Sequence, residues 1–163
     1  MRLSIVIISW NSLPYLEICL KSLRFIQEWE DTEIIWVDNG STDGASQFIK
    51  KNYPYIQRII LPENRGVAYA RNRGIEKTSG KYILLLDDDT VANKEALYGM
   101  IAYMESHPRQ GYADAGLQMP GTRYRKAIKN IRELALNAEI FSARIHKEKK
   151  KPSFPFPSTS RNI

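Results

Sequence analysis

The sequence predicts an α/β fold, a mostly parallel sheet with helices on both faces. Three observations carry this. Apolar runs of strand length alternate along the chain with segments whose apolar residues recur every three or four positions. Two of those runs end in acidic residues, as strands do where their carboxyl ends form a ligand-binding edge. The 163 residues, 43% hydrophobic and 26% charged, have the size and make-up of one globular domain with a real core.

The elements follow in order. Leu3 to Ile8 reads as a strand; Ser12 is a candidate helix N-cap, and Pro14 is tolerated in a first turn. Leu16, Cys19, Leu20 and Leu23 then recur at helical spacing. Glu33 to Val37 is a second strand, closed by the polar loop Asp38-Asn-Gly-Ser-Thr-Asp-Gly44 ahead of a helix carrying Phe48 and Ile49. Ile56 to Leu61 is a third strand, Val67 to Lys77 a helix, and Thr78-Ser-Gly80 its stop. Tyr82 to Leu86 is a buried strand running into Asp87-Asp-Asp89. A helix over Lys94 to Ser106 and a short strand within Gly111 to Met119 complete the body, residues 1–120.

Charge and cysteine narrow the class. The net charge of +6 is concentrated between Gly121 and Lys151, where ten Lys and Arg face three Glu. The body is therefore near neutral and the tail basic. The single cysteine, Cys19, cannot form an internal disulfide and sits in an apolar helical pattern, so a reducing compartment is expected, with Cys19 as a small core residue. No apolar run reaches membrane-spanning length. The segment Met1 to Ile8 resembles a signal h-region in hydrophobicity only, because Ser9-Trp-Asn-Ser12 is a poor cleavage site.

Three adjacent carboxylates at a strand end repel one another, and each raises the pKa of its neighbours unless a cation compensates. A hard divalent ion shared with substrate phosphates is the natural compensation. The bland alternative is a solvated acidic loop. Asp38 also follows an apolar strand, where a carboxylate can accept from a base N–H or a ribose hydroxyl, while Gly40 permits close backbone approach. Its bland alternative is plain turn chemistry. Arg65, Arg71 and Arg73 cluster around one helix, and guanidinium groups make forked bonds to phosphate. Arg71 is the member expected to face inward.

Together these segments resemble the nucleotide-binding half of the family 2 glycosyltransferases, which have the GT-A fold. The matching residues are Ser4-Ile-Val-Ile-Ile-Ser-Trp-Asn11, Val37-Asp-Asn-Gly-Ser-Thr-Asp43, Asn64-Arg-Gly66, Ala70-Arg-Asn-Arg-Gly74 and Gly80-Lys-Tyr-Ile-Leu-Leu-Leu-Asp-Asp-Asp-Thr90. The resemblance implies an inverting transferase using a UDP- or dTDP-sugar donor with Mg²⁺ or Mn²⁺, and a sugar or lipid-linked acceptor. By the same resemblance Ile8 and Trp10 border the nucleotide base, Asp38 bonds the ring, Arg71 helps hold the diphosphate, and Asp88 belongs to the donor site. Asp89 is the implied direct metal ligand. Asp87 contacts ribose, sugar or the metal. The family's general base, an acid in a later segment, has no match: after Asp114 only Glu133, Glu139 and Glu148 remain. The acceptor-binding half of the fold is accordingly expected to be missing, and no catalytic base is assigned.

In the tail, Ala127, Ile131, Leu134, Ala138, Phe141 and Ile145 recur at helical steps after Tyr124, so 121–151 is expected to be a basic amphipathic helix. Its apolar stripe is expected to pack on the body or on the segment that is absent; the alternative is a helix lying on an anionic bilayer, a peripheral contact of a cytoplasmic protein at the inner membrane face. Residues 152–163 read as a disordered end. Nothing resembles a nucleic-acid-binding motif. Two other functions stay open. One is a non-catalytic nucleotide-sugar-binding module, favoured by the missing base. The other is a haloacid-dehalogenase-like phosphatase with Asp87 as nucleophile and Asp89 as acid/base, whose motif normally lies nearer the N-terminus. A P-loop is excluded because no glycine loop precedes Gly80-Lys81.

Overall fold

The computed structural model describes residues 3–109 together with the strands at 112–115 and 143–147. The sheet has six strands: β1 (Leu3–Ser9), β2 (Thr32–Asp38), β3 (Gln57–Ile60), β4 (Tyr82–Asp87), β5 (Tyr112–Ala115) and β6 (Ala143–Lys147). The four described helices are α1 (Leu13–Ser22), α2 (Ala45–Asn52), α3 (Val67–Ile75) and α4 (Lys94–Ser106), with a 3₁₀ turn at Arg24–Glu28. Their boundaries fall within a few residues of those the periodicity predicts.

Strand order is β3-β2-β1-β4-β6-β5. The first four strands are parallel, whereas β6 runs antiparallel to both β4 and β5. From β1 the chain winds outward through β2 to β3, and α3 then returns it to β4 on the other side of β1. The connections thus leave β1 and β4 in opposite directions. This reversal opens a crevice at the carboxyl ends of β1 and β4, where open α/β sheets bind ligands.

Period-two alternation explains the two-sided core. Leu3, Ile5, Ile7, Trp36, Leu84 and Leu86 pack with Leu16, Leu20, Ile49, Leu97 and Met104 on one face. Val6, Ile8, Ile35, Val37, Ile83 and Leu85 pack with Ala70 of α3 on the other. Strands buried on both faces read as continuous apolar runs, which is why they were legible. Helix α3 lies close on the sheet: a Cβ at Gly74 would come within 2.3 Å of Val6 Cγ1.

One expectation is corrected. Ala143–Lys147, within the stretch expected to be helical, forms strand β6, with Ile145 opposite Leu84 and Ala113. Ala143, Ile145 and Lys147 also alternate with Arg144 and His146, so the same five residues fit a period of two, and an open edge of the sheet decides between the periods. The other positions of the expected helix, Tyr124 to Phe141, and the tail 152–163 lie outside the described residues. So do Glu133, Glu139 and Glu148.

Candidate donor-binding site

The parallel register brings the predicted residues to one sheet edge. Ile8 sits opposite both Val37 and Asp87, and Ser9 sits opposite Asp38. Trp10 follows directly and is 54% exposed, whereas Ile8 and Asp38 are buried, Asp38 to 1%. Asp38 Oδ1 accepts from Ser41 N at 2.8 Å, and no other side-chain bond of Asp38 occurs among the described residues.

Two loops are tied across this edge. Asn11, with φ of +50°, donates its N–H to Ser41 Oγ at 3.0 Å and accepts from Thr42 N at 2.8 Å. Asp43 accepts from Leu13 N at 2.8 Å and from Ala45 N at 3.1 Å, so one carboxylate serves the first turns of both α1 and α2. Ser12, at the N-cap position of α1, makes no side-chain cap bond. Its hydroxyl donates instead to Asp88 Oδ2. The cap predicted for Ser12 is thus supplied by Asp43, and Ser12 is spent on the acidic turn.

Arg71 points inward, as expected, and its Nη2 lies 2.6 Å from Asp87 Oδ1. Further anchors fix the turn to α1. Cys19 Sγ lies 3.8 Å from the Asp87 carbonyl oxygen, Thr90 N donates to that oxygen at 3.1 Å, and Ser22 Oγ accepts from Ala92 N at 2.8 Å. Burial, then the charges of Asp88, Asp89 and Asp87, push the Cys19 thiol far up, so it is an inert core group rather than a nucleophile.

The acids themselves are strained electrostatically. Desolvation raises Asp88 to about 6; the Ser12 hydroxyl opposes this, and the charges of Asp89 and Asp87 add to it. Asp89 is raised by desolvation first and Asp87 second. Among the described residues no three His, Cys or carboxylate groups converge on one point. With Asp87 Oδ1 held by Arg71 and Asp88 Oδ2 by Ser12, the exposed Asp89 keeps a carboxylate without a side-chain partner among the described residues. This donor set fits a hard cation that takes one or two carboxylates and completes its shell with water and substrate phosphate.

Sequence reasoning missed the roles of Asn11, Asn39, Asp43 and Asn64. Each is a loop residue whose type is explained equally well by turn chemistry. Gly40, expected to admit a ligand, has φ of +81°, and a Cβ there would fall 2.5 Å from the Glu63 carbonyl carbon. The close approach is between two loops of the protein.

The parallel sheet with its switch point, the acidic turn after β4 and the antiparallel β6 define a GT-A domain. The family model described as "Glycosyl transferase family 2" matches residues 4–159, and the chain belongs to that family. It is similar to "Uncharacterized glycosyltransferase YibD" of Escherichia coli (strain K12), 38% identical over 91 residues, or 54% of this chain and 26% of that protein. It is also similar to the poly-beta-1,6-N-acetyl-D-glucosamine synthase of Staphylococcus aureus (strain COL), 38% identical over 87 residues, or 52% of this chain and 21% of that one. The crystal structure of S. aureus TarS 1–349 in complex with UDP-GlcNAc superposes with a TM-score of 0.63 at 25% identity, covering 76% of this chain and 36% of that one. The chain therefore spans 26% and 21% of the lengths of these two relatives.

Proposed function

We propose that the chain carries the donor site of an inverting, metal-dependent glycosyltransferase using a UDP- or dTDP-sugar. The observation that supports this best is the placement of Asp38 and Asp87 at the carboxyl ends of β2 and β4, on either side of β1. Trp10 and Ile8 flank the base, and the second oxygen of Asp38 accepts from its ring N–H. Arg71 and Asp87 address the diphosphate and ribose. Asp88, tied to Ser12, acts by holding the turn. Asp89, with Asp87 beside it, would hold Mg²⁺ or Mn²⁺. Such an ion neutralises negative charge on a departing diphosphate. The TarS complex with UDP-GlcNAc, a neighbour built on the same sheet, supports a uridine diphosphate donor.

Inversion calls for a general base on the acceptor side of the anomeric carbon, opposite the diphosphate. No described residue is assigned that task. A sugar or lipid-linked acceptor and a site of action at the cytoplasmic face of a membrane, with contact through the part of 121–151 outside β6, belong to the same proposal. No helix among the described residues is long and apolar enough to cross a membrane. Flotation of the full chain with anionic vesicles tests the membrane contact: migration with the vesicles is expected, and failure to float contradicts it.

Calorimetric titration of UDP into the full chain, with Mn²⁺ and then with EDTA, tests the donor site. Binding that Mn²⁺ strengthens at least about tenfold is expected. Equal binding under both conditions, or none under either, contradicts the proposal.

A further inference from the structure

Asn39 lies beside the proposed base contact Asp38, yet its side chain is 3% exposed and turned into the protein. Its backbone N–H donates to Ser9 O at 2.9 Å, fixing it to the end of β1. Its Nδ2 donates to Asn64 Oδ1 at 3.0 Å, and its Oδ1 accepts from Arg65 N at 3.0 Å. Asn64 Oδ1 also accepts from Gly66 N at 2.9 Å. Gly66 is the N-cap of α3, and its carbonyl accepts from Ala70 N at 3.2 Å. One turn further on, α3 presents Arg71 to Asp87. An unbroken set of bonds therefore runs from the strand end carrying Asp38 to the helix carrying Arg71.

Each group in this set has its partner because Asn39 is an amide. Asn39 must donate to one neighbour and accept from another, which a carboxylate or hydroxyl cannot do in the same geometry. Asn64 needs only an accepting oxygen in the bonds described. Gly40 lets the two loops meet, since a Cβ there would overlap the Glu63 backbone.

We infer that Asn39 is a positioning residue that couples the base side of the donor site to its diphosphate side, by fixing the N-terminus of α3 and so Arg71. This rests on the donor-site assignment above. If Asn39 acts in this way, loss of the bridge affects a ligand that reaches Arg71 more than one that does not. The distinguishing quantity is the ratio of UDP affinity to uridine affinity.

Asn64 is exposed, so it can be varied with little risk to folding. In Asn64→Ala the accepting oxygen is gone, and UDP affinity is expected to fall about tenfold while uridine affinity holds, a loss of the size of about one hydrogen bond. Asn64→Asp keeps that oxygen and is expected to retain the wild-type ratio. Asn39→Asp, which sets an acceptor against Asn64 Oδ1, is expected to lose it. Equal loss of both ligands in Asn64→Ala, or an unchanged ratio in both Asn64→Ala and Asn39→Asp, overturns the inference. Hydrogen exchange in the ligand-free full chain provides a test that does not depend on donor binding. Faster exchange at Arg65 and Gly66 N–H, extending into the first turn of α3, is expected in Asn64→Ala and not in Asn64→Asp. Unchanged exchange in Asn64→Ala overturns the inference even if the protein binds neither uridine nor UDP, whereas that failure of binding by itself contradicts only the donor-site assignment.

Discussion

Arg71 and Asp87 meet at 2.6 Å, a helix side chain reaching the last residue of the strand that leads into the acidic turn. The pair joins α3 to the carboxyl end of β4. It places a fixed positive charge on Asp87 Oδ1 and leaves the other oxygen of that carboxylate free of Arg71. Because both partners are partly exposed, the pair contributes more to orientation than to stability.

For Arg71→Gln, unfolding free energy in urea should change by less than about 1 kcal/mol, as for other half-exposed ion pairs. If Arg71 holds the diphosphate as proposed, affinity for UDP in Mn²⁺ should fall at least about tenfold, through loss of that charged contact and of the orientation of Asp87. A stability loss without an affinity loss would assign the pair a purely structural role.

Asp88 gives a pH signature. Its carboxyl group sits at about 6 in the folded chain, raised chiefly by desolvation, above the usual carboxylate value of about 4. Between these values the folded state binds the extra proton, so stability is greatest below the window and falls as pH rises through it. Asp88→Asn keeps an acceptor for Ser12 and removes the buried charge. Without metal it should be more stable than wild type at pH 7.5, by on the order of 2 kcal/mol, and the gain should vanish by pH 4. Urea titrations at the two pH values measure this.

Glu33 has the opposite sign. Burial pulls its carboxyl group up, but bonds from Ser4 Oγ at 2.5 Å and from Ser79 N and Oγ at 2.7 and 2.8 Å outweigh it and bring it below its usual value. These bonds tie the start of β2 to β1 and to the turn before β4. Their contribution is present above the usual carboxylate value and is lost as pH falls through the lowered one. Glu33→Gln should therefore lower the melting temperature at pH 7, with the difference from wild type shrinking below about pH 4.

Gly74 tests the packing that places α3. A methyl group there meets Val6 Cγ1, so Gly74→Ala should destabilise the chain by roughly 1–3 kcal/mol, despite alanine's better helix propensity. Adding Val6→Ala should recover part of the loss. A stabilised single variant would mean that α3 sits further from β1 than described.

Much of this was written in the chain's local patterns. Strands buried on both faces need continuous apolar runs, and acids directly after such runs can lie only at a sheet edge, so β1, β2, β4, Asp38 and Asp87 were legible. Ser12 was not, because its N-cap role competes with a hydroxyl bond to a residue 76 positions away, and only the fold shows which wins. Asn39 and Asn64 were hidden for the same reason: an amide that bridges two loops looks, in sequence, like an amide that makes a turn. Ala143–Lys147 fits helical and strand periods together, and pairing with β4 and β5 settles it.

The most direct test is calorimetry of UDP with wild type and Asp89→Ala, each with Mn²⁺ and with EDTA. With Asp89 as the metal ligand, Mn²⁺ should strengthen UDP binding to wild type at least about tenfold, and Asp89→Ala should bind UDP with the same weak affinity in both buffers. Full Mn²⁺ enhancement retained in Asp89→Ala would contradict it.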